Sequence, residues 1–333
     1  MGDKTILISQ PFALREQKGV PVFTKIKTEI IPHSQEFKDK YEAFEKMGYK
    51  LADRKKRVRT DYPLDLHNLE RIIITPNGKG YLSTYFLDFM KEFNVPIYFV
   101  NGRGMIDSCF MPIYNKKPSL IIKQCEARIN GKNIEIAKYI ITLKLESQGM
   151  KRFLPQLKKA KDFDEIQYAE AIASKLYFDQ WSFPSRFNWA GRHGRSSTNA
   201  NAIDPINAIL NLGYGLLAQY ISEILLERGF ELSIGFLHYS EQIYWNQLTW
   251  DVIEPYRIMI DKEVKNMIDN SIFEPEDFVF LKDRSHLILK NRPFETVLER
   301  FLQVLNPLEQ KSLPMIRKIE KMLLSSSLDD SKE

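Results

Sequence analysis

The sequence predicts an α+β protein in which a small β-rich domain precedes a larger, mainly α-helical domain. Its 333 residues correspond to about two domains at roughly 100–200 residues each. Short β-branched runs are concentrated before residue 112, whereas apolar residues recur at helical spacing from residue 119 onward. We therefore expect a β-rich domain over 1–112, a helical domain over 113–325 and a disordered polar tail over 326–333.

The composition is that of a globular protein, with 44% hydrophobic and 27% charged residues. No run reaches the ~18–20 uninterrupted apolar residues of a membrane helix, and the N-terminus lacks the basic and apolar regions of a signal peptide. Cys109 and Cys125 are too few for a disulfide framework or a thiolate zinc site. We therefore expect a cytoplasmic protein without a membrane partner.

The N-terminal part predicts a small sheet with one or two helices. Strand-like runs cover 5–9, 20–26, 71–75 and 96–100. A helix is predicted between the last two, from the spacing of Leu82, Phe86, Phe89, Met90 and Phe93. The charged residues 30–50 predict a further helix that interrupts the strands.

The C-terminal part predicts a series of helices over 132–145, 162–179, 204–229, 247–267 and 294–325. The clearest begins at Asp204-Pro205, because aspartate caps free backbone N–H groups and proline suits a first helical turn. Gly229 is expected to end it.

The 48 basic and 43 acidic residues give a net charge of +5, which alone is weak support for a polyanionic partner. The densest basic run, 54–59, is most simply a solvated surface. A second cluster, Arg186, Arg192, His193 and Arg195, accompanies the aromatic residues Trp181, Phe183, Phe187 and Trp189. That mixture suits a DNA strand in a groove, although the same aromatics fit a core equally well.

Candidate chemistry is found among polar residues that interrupt the helical pattern. Asp251 and Glu254 are three apart on a predicted helix, so both carboxylates are expected on one side. His238 follows an apolar segment that begins with Gly235, and Glu170 lies within a helix. Carboxylates with one imidazole suit Mg²⁺ or Mn²⁺. A solvated acidic pair and a structural histidine are the ordinary alternatives, and spacing alone does not bring these segments together.

Four sequence blocks resemble the CRISPR-associated spacer integrases, the Cas-one family. The most specific is Asp-Pro-x-Asn-Ala-x-Leu-Asn-x-Gly-Tyr, which runs from Asp204 to Tyr214. The others are Gly-Phe-Leu-His ending at His238 with the following segment 251–257, the Glu170 block that ends at Tyr177-Phe178, and the segment 66–72. Their order and spread carry the resemblance over nearly the whole chain.

The resemblance implies a metal-dependent DNA endonuclease and integrase of CRISPR adaptation, which joins 3′-hydroxyl ends of short DNA fragments to the CRISPR repeat by transesterification. It implies that Glu170, His238 and Glu254 hold Mg²⁺ or Mn²⁺, with Asp251 as a fourth catalytic residue. Candidate DNA-phosphate contacts, which the backbone charge requires, are Arg192, Arg195 and Lys262. Asp204 is interpreted as a helix cap and Asn207 as a residue that packs or bonds near that helix start.

Integration needs two joining events, so at least two copies must act together, and a homodimer is the simplest arrangement. The N-terminal domain is the expected dimer surface, because its short strands expose edges. The resemblance adds a small ferredoxin-like partner, Cas-two, in a heterohexamer. Two alternatives remain: a mobile-element (casposase-like) integrase of the same fold, and a non-catalytic DNA-binding scaffold, against which the intact carboxylates and histidine argue.

Overall fold

The computed structural model describes residues 5–31, 54–75, 78–100, 106–111, 117–189, 191–192, 202, 204–237, 246–281 and 286–325, with Gln35, Glu42 and Lys46. The chain divides into two compact units, Met1–Asn101 with Ile106–Pro112 and Ile113–Glu333 with Gly102–Met105. Strands dominate the first unit and helices the second, which confirms the predicted fold class.

The first unit contains two four-stranded sheets and a helix over Thr84–Glu92, besides the helical residues Gln35, Glu42 and Lys46. One sheet has the order β1-β5-β7-β8 and the other the order β4-β3-β2-β6. The elements are β1 (Thr5–Ile8), β2 (Phe12–Gln17), β3 (Val20–Ile31), β4 (Arg54–Pro63), β5 (Arg71–Ile74), β6 (Gly80–Leu82), α1 (Thr84–Glu92), β7 (Ile97–Val100) and β8 (Ile106–Phe110).

The core of this unit is formed by the first sheet, strand β2 of the second sheet and α1. Ile72 and Ile97 on the sheet and Phe86 and Met90 on α1 are fully buried. Ser83 caps the start of α1, because its side-chain oxygen accepts a hydrogen bond of 3.2 Å from the Phe86 N–H. The apolar spacing along α1 therefore identifies the helix correctly, and the cap fixes its start.

The long β3–β4 pair was predicted only for part of β3, from the strand-like run 20–26. Strand β3 extends to Ile31, and the basic run 54–59 lies within β4 as its antiparallel partner, with Ile31 opposite Arg54 and Val22 opposite Pro63. Pairing along this length outweighs the poor strand preference of a charged run. Most of the predicted helix over 30–50 lies outside the described residues; Gln35, Glu42 and Lys46 are helical.

The second unit is helical apart from one described hairpin. Its helices are α2 (Pro118–Ile129), α3 (Lys132–Ser147), α4 (Leu154–Lys159), α5 (Phe163–Asp179), α6 (Pro205–Glu227), α7 (Gln247–Ile253), α8 (Arg257–Asp269), α9 (Asn291–Leu305) and α10 (Leu308–Leu324). The hairpin pairs β9 (Phe278–Leu281) with β10 (His286–Leu289), in a stretch between the helices predicted over 247–267 and 294–325, where no strand was predicted. The tail 326–333, predicted to be disordered, lies outside the described residues.

Helix α6 is the core helix of the second unit. Asp204 caps it as predicted, because its carboxylate accepts a 2.8 Å hydrogen bond from the Asn207 N–H. A Cβ on Gly213 would lie 2.4 Å from Ile260 Cγ2 and 2.9 Å from Phe301 Cζ, so glycine lets α8 and α9 approach closely. Among the described helices, α6 has the length and apolarity to cross a membrane, but 89% of that window is buried, which is typical of a core helix.

The single helix predicted over 247–267 is wrong at its centre. Helix α7 ends at Ile253, a 3₁₀ turn covers Glu254–Tyr256, and α8 begins at Arg257. Pro255 explains the break, because it has no N–H for the helical hydrogen-bond ladder. Asp251 and Glu254 therefore belong to different elements, and their side chains have different partners.

Candidate active site

Two of the predicted metal ligands meet at one buried lysine of the second unit. The Lys144 ammonium on α3 lies 2.6 Å from Glu254 Oε2 and also pairs with Glu170 Oε1 on α5. Lys144 is 6% exposed and Glu254 4% exposed, whereas Glu170 is half-buried. The structure thus brings together carboxylates that are 84 residues apart in the sequence (254 − 170).

Both carboxylates have further partners. Glu170 Oε1 accepts a 2.6 Å hydrogen bond from Ser174 Oγ, and Glu254 Oε1 pairs with a guanidinium nitrogen of Arg257 at 2.8 Å. Burial alone lowers the pKa of Lys144, but the charges of Glu254 and Glu170 outweigh it and raise that pKa above its ordinary value. Lys144 is therefore a charged ammonium, and the cluster balances buried negative and positive charge.

Asp251 faces backbone groups. Its side chain is fully buried, and Oδ2 accepts hydrogen bonds from the N–H of Phe236 at 2.5 Å and of Leu237 at 3.0 Å. A Cβ on Gly235 would lie 2.9 Å from both Asp251 Oδ2 and Gln247 Cβ, which explains the glycine at this position. Asp251 therefore fixes the segment that leads directly into His238, and its described partners differ from those of Glu254.

A second buried side chain fixes the same segment from α2. Gln124 is fully buried, and its Nε2 donates to the carbonyl oxygens of Glu231 at 3.0 Å and Ile234 at 3.2 Å. Its Oε1 accepts a 2.9 Å hydrogen bond from the Glu231 N–H. The backbone from 231 to 237 is thus fixed by polar groups on two separate helices. His238 itself lies outside the described residues, as does Arg195.

A second buried polar group adjoins the carboxylate cluster. Asp261 accepts hydrogen bonds from the Tyr177 hydroxyl at 2.9 Å and from the Tyr214 hydroxyl. Burial raises the pKa of Asp261, although both tyrosine hydrogen bonds and the charges of Arg257 and Arg192 oppose the rise. The Tyr214 ring lies 4.7 Å from the guanidinium of Arg257 and 5.3 Å from that of Arg192. Arg257 thus contacts both Glu254 and Tyr214.

Arg192 binds other protein groups rather than extending into solvent. Its guanidinium donates to Asn207 Oδ1 at 2.5 Å and to Asn211 Oδ1 at 2.7 Å, and the residue is half-buried. Asn207 also donates to an Asp204 carboxylate oxygen at 2.7 Å, so the interpretation of Asp204 and Asn207 as structural residues at a helix start is confirmed. Lys262 is exposed on α8.

The aromatic residues near Arg192 pack largely against one another. Phe187 is fully buried and Trp181 is 7% exposed. These two aromatics therefore belong to the core and do not form an open surface on which bases could stack. Phe183 and Trp189 are half-buried, and Trp189 stacks on Trp181 with ring centroids 5.9 Å apart.

The sequence analysis did not identify several site residues. The feature that could have revealed them is a polar residue at a helix position where an apolar residue is expected. Lys144 follows Ile140 and Ile141 on the buried face of α3, and Gln124 lies on the buried stripe of α2. Such positions are normally apolar, so a lysine there requires a buried partner. Arg257 and Tyr214 belong to recognised blocks but had no assigned role.

The two carboxylates fit a hard divalent cation. Within the part of the chain that the structure describes, no three His, Cys, Asp or Glu side chains form a metal-binding group, and Glu170 and Glu254 supply two oxygen donors. One oxygen of each already contacts the same positive charge, and carboxylate oxygens are the ligands that Mg²⁺ and Mn²⁺ prefer. A third donor has to come from elsewhere.

Comparison with known proteins identifies the family to which this fold belongs. A sequence model described as "CRISPR associated protein Cas1" matches residues 46–150 and 143–303. The chain therefore belongs to the Cas1 family, as the four sequence blocks predicted.

The sequence is also similar to individual members of the Cas1 family. The chain is 25% identical over 281 residues to the CRISPR-associated endonuclease Cas1 1 of Thermodesulfovibrio yellowstonii, covering 74% of this chain and 84% of the relative. It is 26% identical over 288 residues to the CRISPR-associated endonuclease Cas1 2 of Pyrobaculum aerophilum, covering 80% and 91%.

Solved structures share the fold. A casposase bound to its integration product matches with a TM-score of 0.77 and 19% identity, covering 99% of this chain and 93% of the other. A CAS1 protein from Thermotoga maritima matches with a TM-score of 0.74 and 18% identity, covering 99% and 100%. A chain of a Cas6-RT-Cas1–Cas2 complex matches with a TM-score of 0.55 and 14% identity, covering 98% and 36%.

Proposed function

We propose that this protein is a divalent-metal-dependent DNA endonuclease and integrase of CRISPR adaptation. It joins the 3′-hydroxyl ends of short DNA fragments to the CRISPR repeat by transesterification. The observation that carries the proposal is the convergence of Glu170 and Glu254 on one buried cation. The endonuclease names of the relatives support the reaction class.

In this proposal Glu170, Glu254 and His238 hold Mg²⁺ or Mn²⁺. When bound there, such an ion would supply Lewis-acid polarisation of a phosphodiester oxygen and would stabilise the negative charge on the phosphoryl oxygens. Arg257 holds Glu254 Oε1, which leaves Oε2 directed toward Lys144 and the ion site. Asp251 acts through the backbone of Phe236 and Leu237 and orients the segment before His238.

The strand-transfer reaction conserves the number of phosphodiester bonds. The attacking 3′-hydroxyl gives up its proton and its oxygen bonds to phosphorus, while the bond from phosphorus to the repeat strand's own 3′ oxygen breaks and that oxygen takes up a proton. One phosphodiester bond replaces another, so ATP is not required. The protein contributes alignment of the two ends. We assign phosphate contacts to exposed Lys262 and to Arg195, whereas the guanidinium of Arg192 is engaged by Asn207 and Asn211.

Substitution of each ligand tests the proposal. Glu170→Gln, His238→Ala and Glu254→Gln are each expected to abolish Mn²⁺-dependent cleavage and joining while DNA binding persists. The matched control is Glu320→Gln, because Glu320, like Glu254, lies between two cations, Lys117 and Arg228. The control should retain both reactions. A ligand variant that joins DNA at the normal rate does not belong to the metal site.

We further propose a homodimer formed through the first unit, with a small ferredoxin-like Cas-two protein that bridges two dimers in a heterohexamer. The described sheets end in strands β1, β8, β4 and β6, whose outer edges offer pairing surfaces. Light scattering at micromolar concentration should give about twice the chain mass of 39.1 kDa. A monomer would contradict the dimer, and a dimer that survives removal of 1–112 would move the interface to the helical unit.

A mobile-element integrase is the second candidate, because the casposase structure has the same fold over 99% of this chain. The choice of substrate separates the two. A spacer integrase inserts short fragments at a CRISPR repeat, whereas a mobile-element enzyme requires its element's terminal sequences. Parallel joining assays with fragments of arbitrary sequence and with transposon ends, each on a CRISPR-repeat target, distinguish them.

A further inference from the structure

The Lys144 ammonium contacts both proposed metal ligands. It pairs with Glu170 Oε1 and lies 2.6 Å from Glu254 Oε2. Its side chain is 8% exposed, so solvent does not separate it from the two glutamates. An isolated buried lysine is unfavourable, and these two carboxylates compensate its charge.

The position of the ammonium conflicts with that of a divalent ion. Glu254 Oε1 is already paired with Arg257, so the oxygen of Glu254 that remains for an ion is Oε2, which Lys144 contacts. An ion held by carboxylate oxygens at about 2.0–2.1 Å would lie close enough to the ammonium for strong repulsion between like charges. The lysine side chain has a flexible four-carbon stem, which allows its nitrogen to move away.

We propose that Lys144 is a positioning residue that acts as an internal counter-ion, holds Glu170 and Glu254 together without a metal, and leaves them when a divalent ion binds. Lys144 therefore competes directly with the ion. The inference rests on the proposed function, because it takes these carboxylates as metal ligands. Its signature is an affinity for the metal that rises when the lysine charge is removed.

Replacement by a side chain of similar size without charge tests this competition. Lys144→Met in the full-length chain should bind Mn²⁺ at least about tenfold more tightly than wild type in a calorimetric titration. Its melting temperature in EDTA should fall, because buried Glu254 and half-buried Glu170 lose this counter-ion. The rise in its melting temperature on adding Mn²⁺ should exceed that of wild type. The matched control is Lys175→Met, an exposed lysine that pairs with Asp179 at 2.6 Å, and it should change neither quantity.

A merely structural role would lower the melting temperature without tightening Mn²⁺ binding. Equal or weaker Mn²⁺ affinity in folded Lys144→Met therefore overturns the inference. If that variant does not fold, amine acetylation of wild type followed by mass spectrometry replaces it. Saturating Mn²⁺ should then increase labelling of Lys144 several-fold relative to Lys175, and unchanged labelling of Lys144 overturns the inference.

Glu254→Gln separates this inference from the proposed function. A wild-type protein that binds no Mn²⁺ overturns the metal site and the inference together. A wild-type protein whose Mn²⁺ binding is lost in Glu254→Gln but unchanged in Lys144→Met overturns the role of Lys144 alone.

Discussion

Asp251→Ala removes the carboxylate that accepts from the backbone N–H groups of Phe236 and Leu237. A hydrogen bond to a charged group contributes about 1.5–3 kcal/mol, so the two together set an upper range of about 3–6 kcal/mol. Water entering the space left by the truncated side chain can satisfy one donor, which favours the lower end. At about 2–4 °C per kcal/mol for a unit of this size, a loss of about 3 kcal/mol lowers the melting temperature by about 6–12 °C.

Asp251→Asn provides an intermediate case. Its amide oxygen still accepts from a backbone N–H, but without a full negative charge, so about half the loss in unfolding free energy is expected. Thermal melting followed by circular dichroism measures both variants. A Mn²⁺ titration and a strand-joining assay on the same samples then separate a positioning role from metal binding.

If Asp251 acts only through the segment before His238, Asp251→Ala weakens Mn²⁺ binding less than about tenfold, which is less than about 1.4 kcal/mol. Joining should fall by more than about tenfold, because the histidine is no longer held in place. Glu254→Gln serves as the comparison, since it should eliminate Mn²⁺ binding. An Asp251→Ala protein with unchanged melting temperature and no Mn²⁺ binding would refute this reasoning and make Asp251 a metal ligand.

Two further predictions concern side chains outside the carboxylate cluster. Arg192→Ala should lower the melting temperature by about 4–8 °C, from the loss of about 2 kcal/mol of charge-assisted hydrogen bonding, and leave the salt dependence of DNA binding unchanged. Arg186→Ala, an exposed arginine paired with Glu274, is its control, and a flatter salt dependence would return Arg192 to the DNA path. Burial alone raises the pKa of Glu320, but Arg228 and Lys117 outweigh it and hold that pKa below its ordinary value of 4.5. The stabilisation from Glu320 is therefore complete above pH 4.5 and is lost as pH falls through the lowered pKa. The melting temperatures of wild type and Glu320→Gln should converge at low pH. A difference in melting temperature that stays constant with pH contradicts this.

Much of the fold follows from local sequence because caps and apolar periods act over a few residues. Helix α6 was predicted from Asp204 to Gly229, since both its ends carry specific signals. Strand β4 was missed, because its basic sequence has little strand preference and its structure depends on pairing with β3. The apolar pattern predicts one helix over 247–267, because a period of apolar residues does not register the N–H that Pro255 lacks.

The candidate site was predictable only in part, because its contacts join distant segments. Resemblance to the family selected Glu170 and Glu254, and the structure brings them together. The sequence could not show that Lys144 lies between them, or that Asp251 turns toward the backbone of Phe236. Those features depend on how α3, α5 and α7 pack, which no local pattern encodes.

The carbonyl contacts of Gln124 have a consequence for how this unit could be shortened or transplanted. All the proposed metal ligands fall within residues 170–254, so from the sequence this segment alone would be chosen for transfer to another protein. However, Gln124 on α2 hydrogen-bonds the backbone before His238, and Lys144 on α3 neutralises the carboxylates. Both helices precede residue 170 in the chain. A minimal transferable module must therefore begin before α2, and a graft that starts at α5 would carry the ligands without the parts that hold them in register.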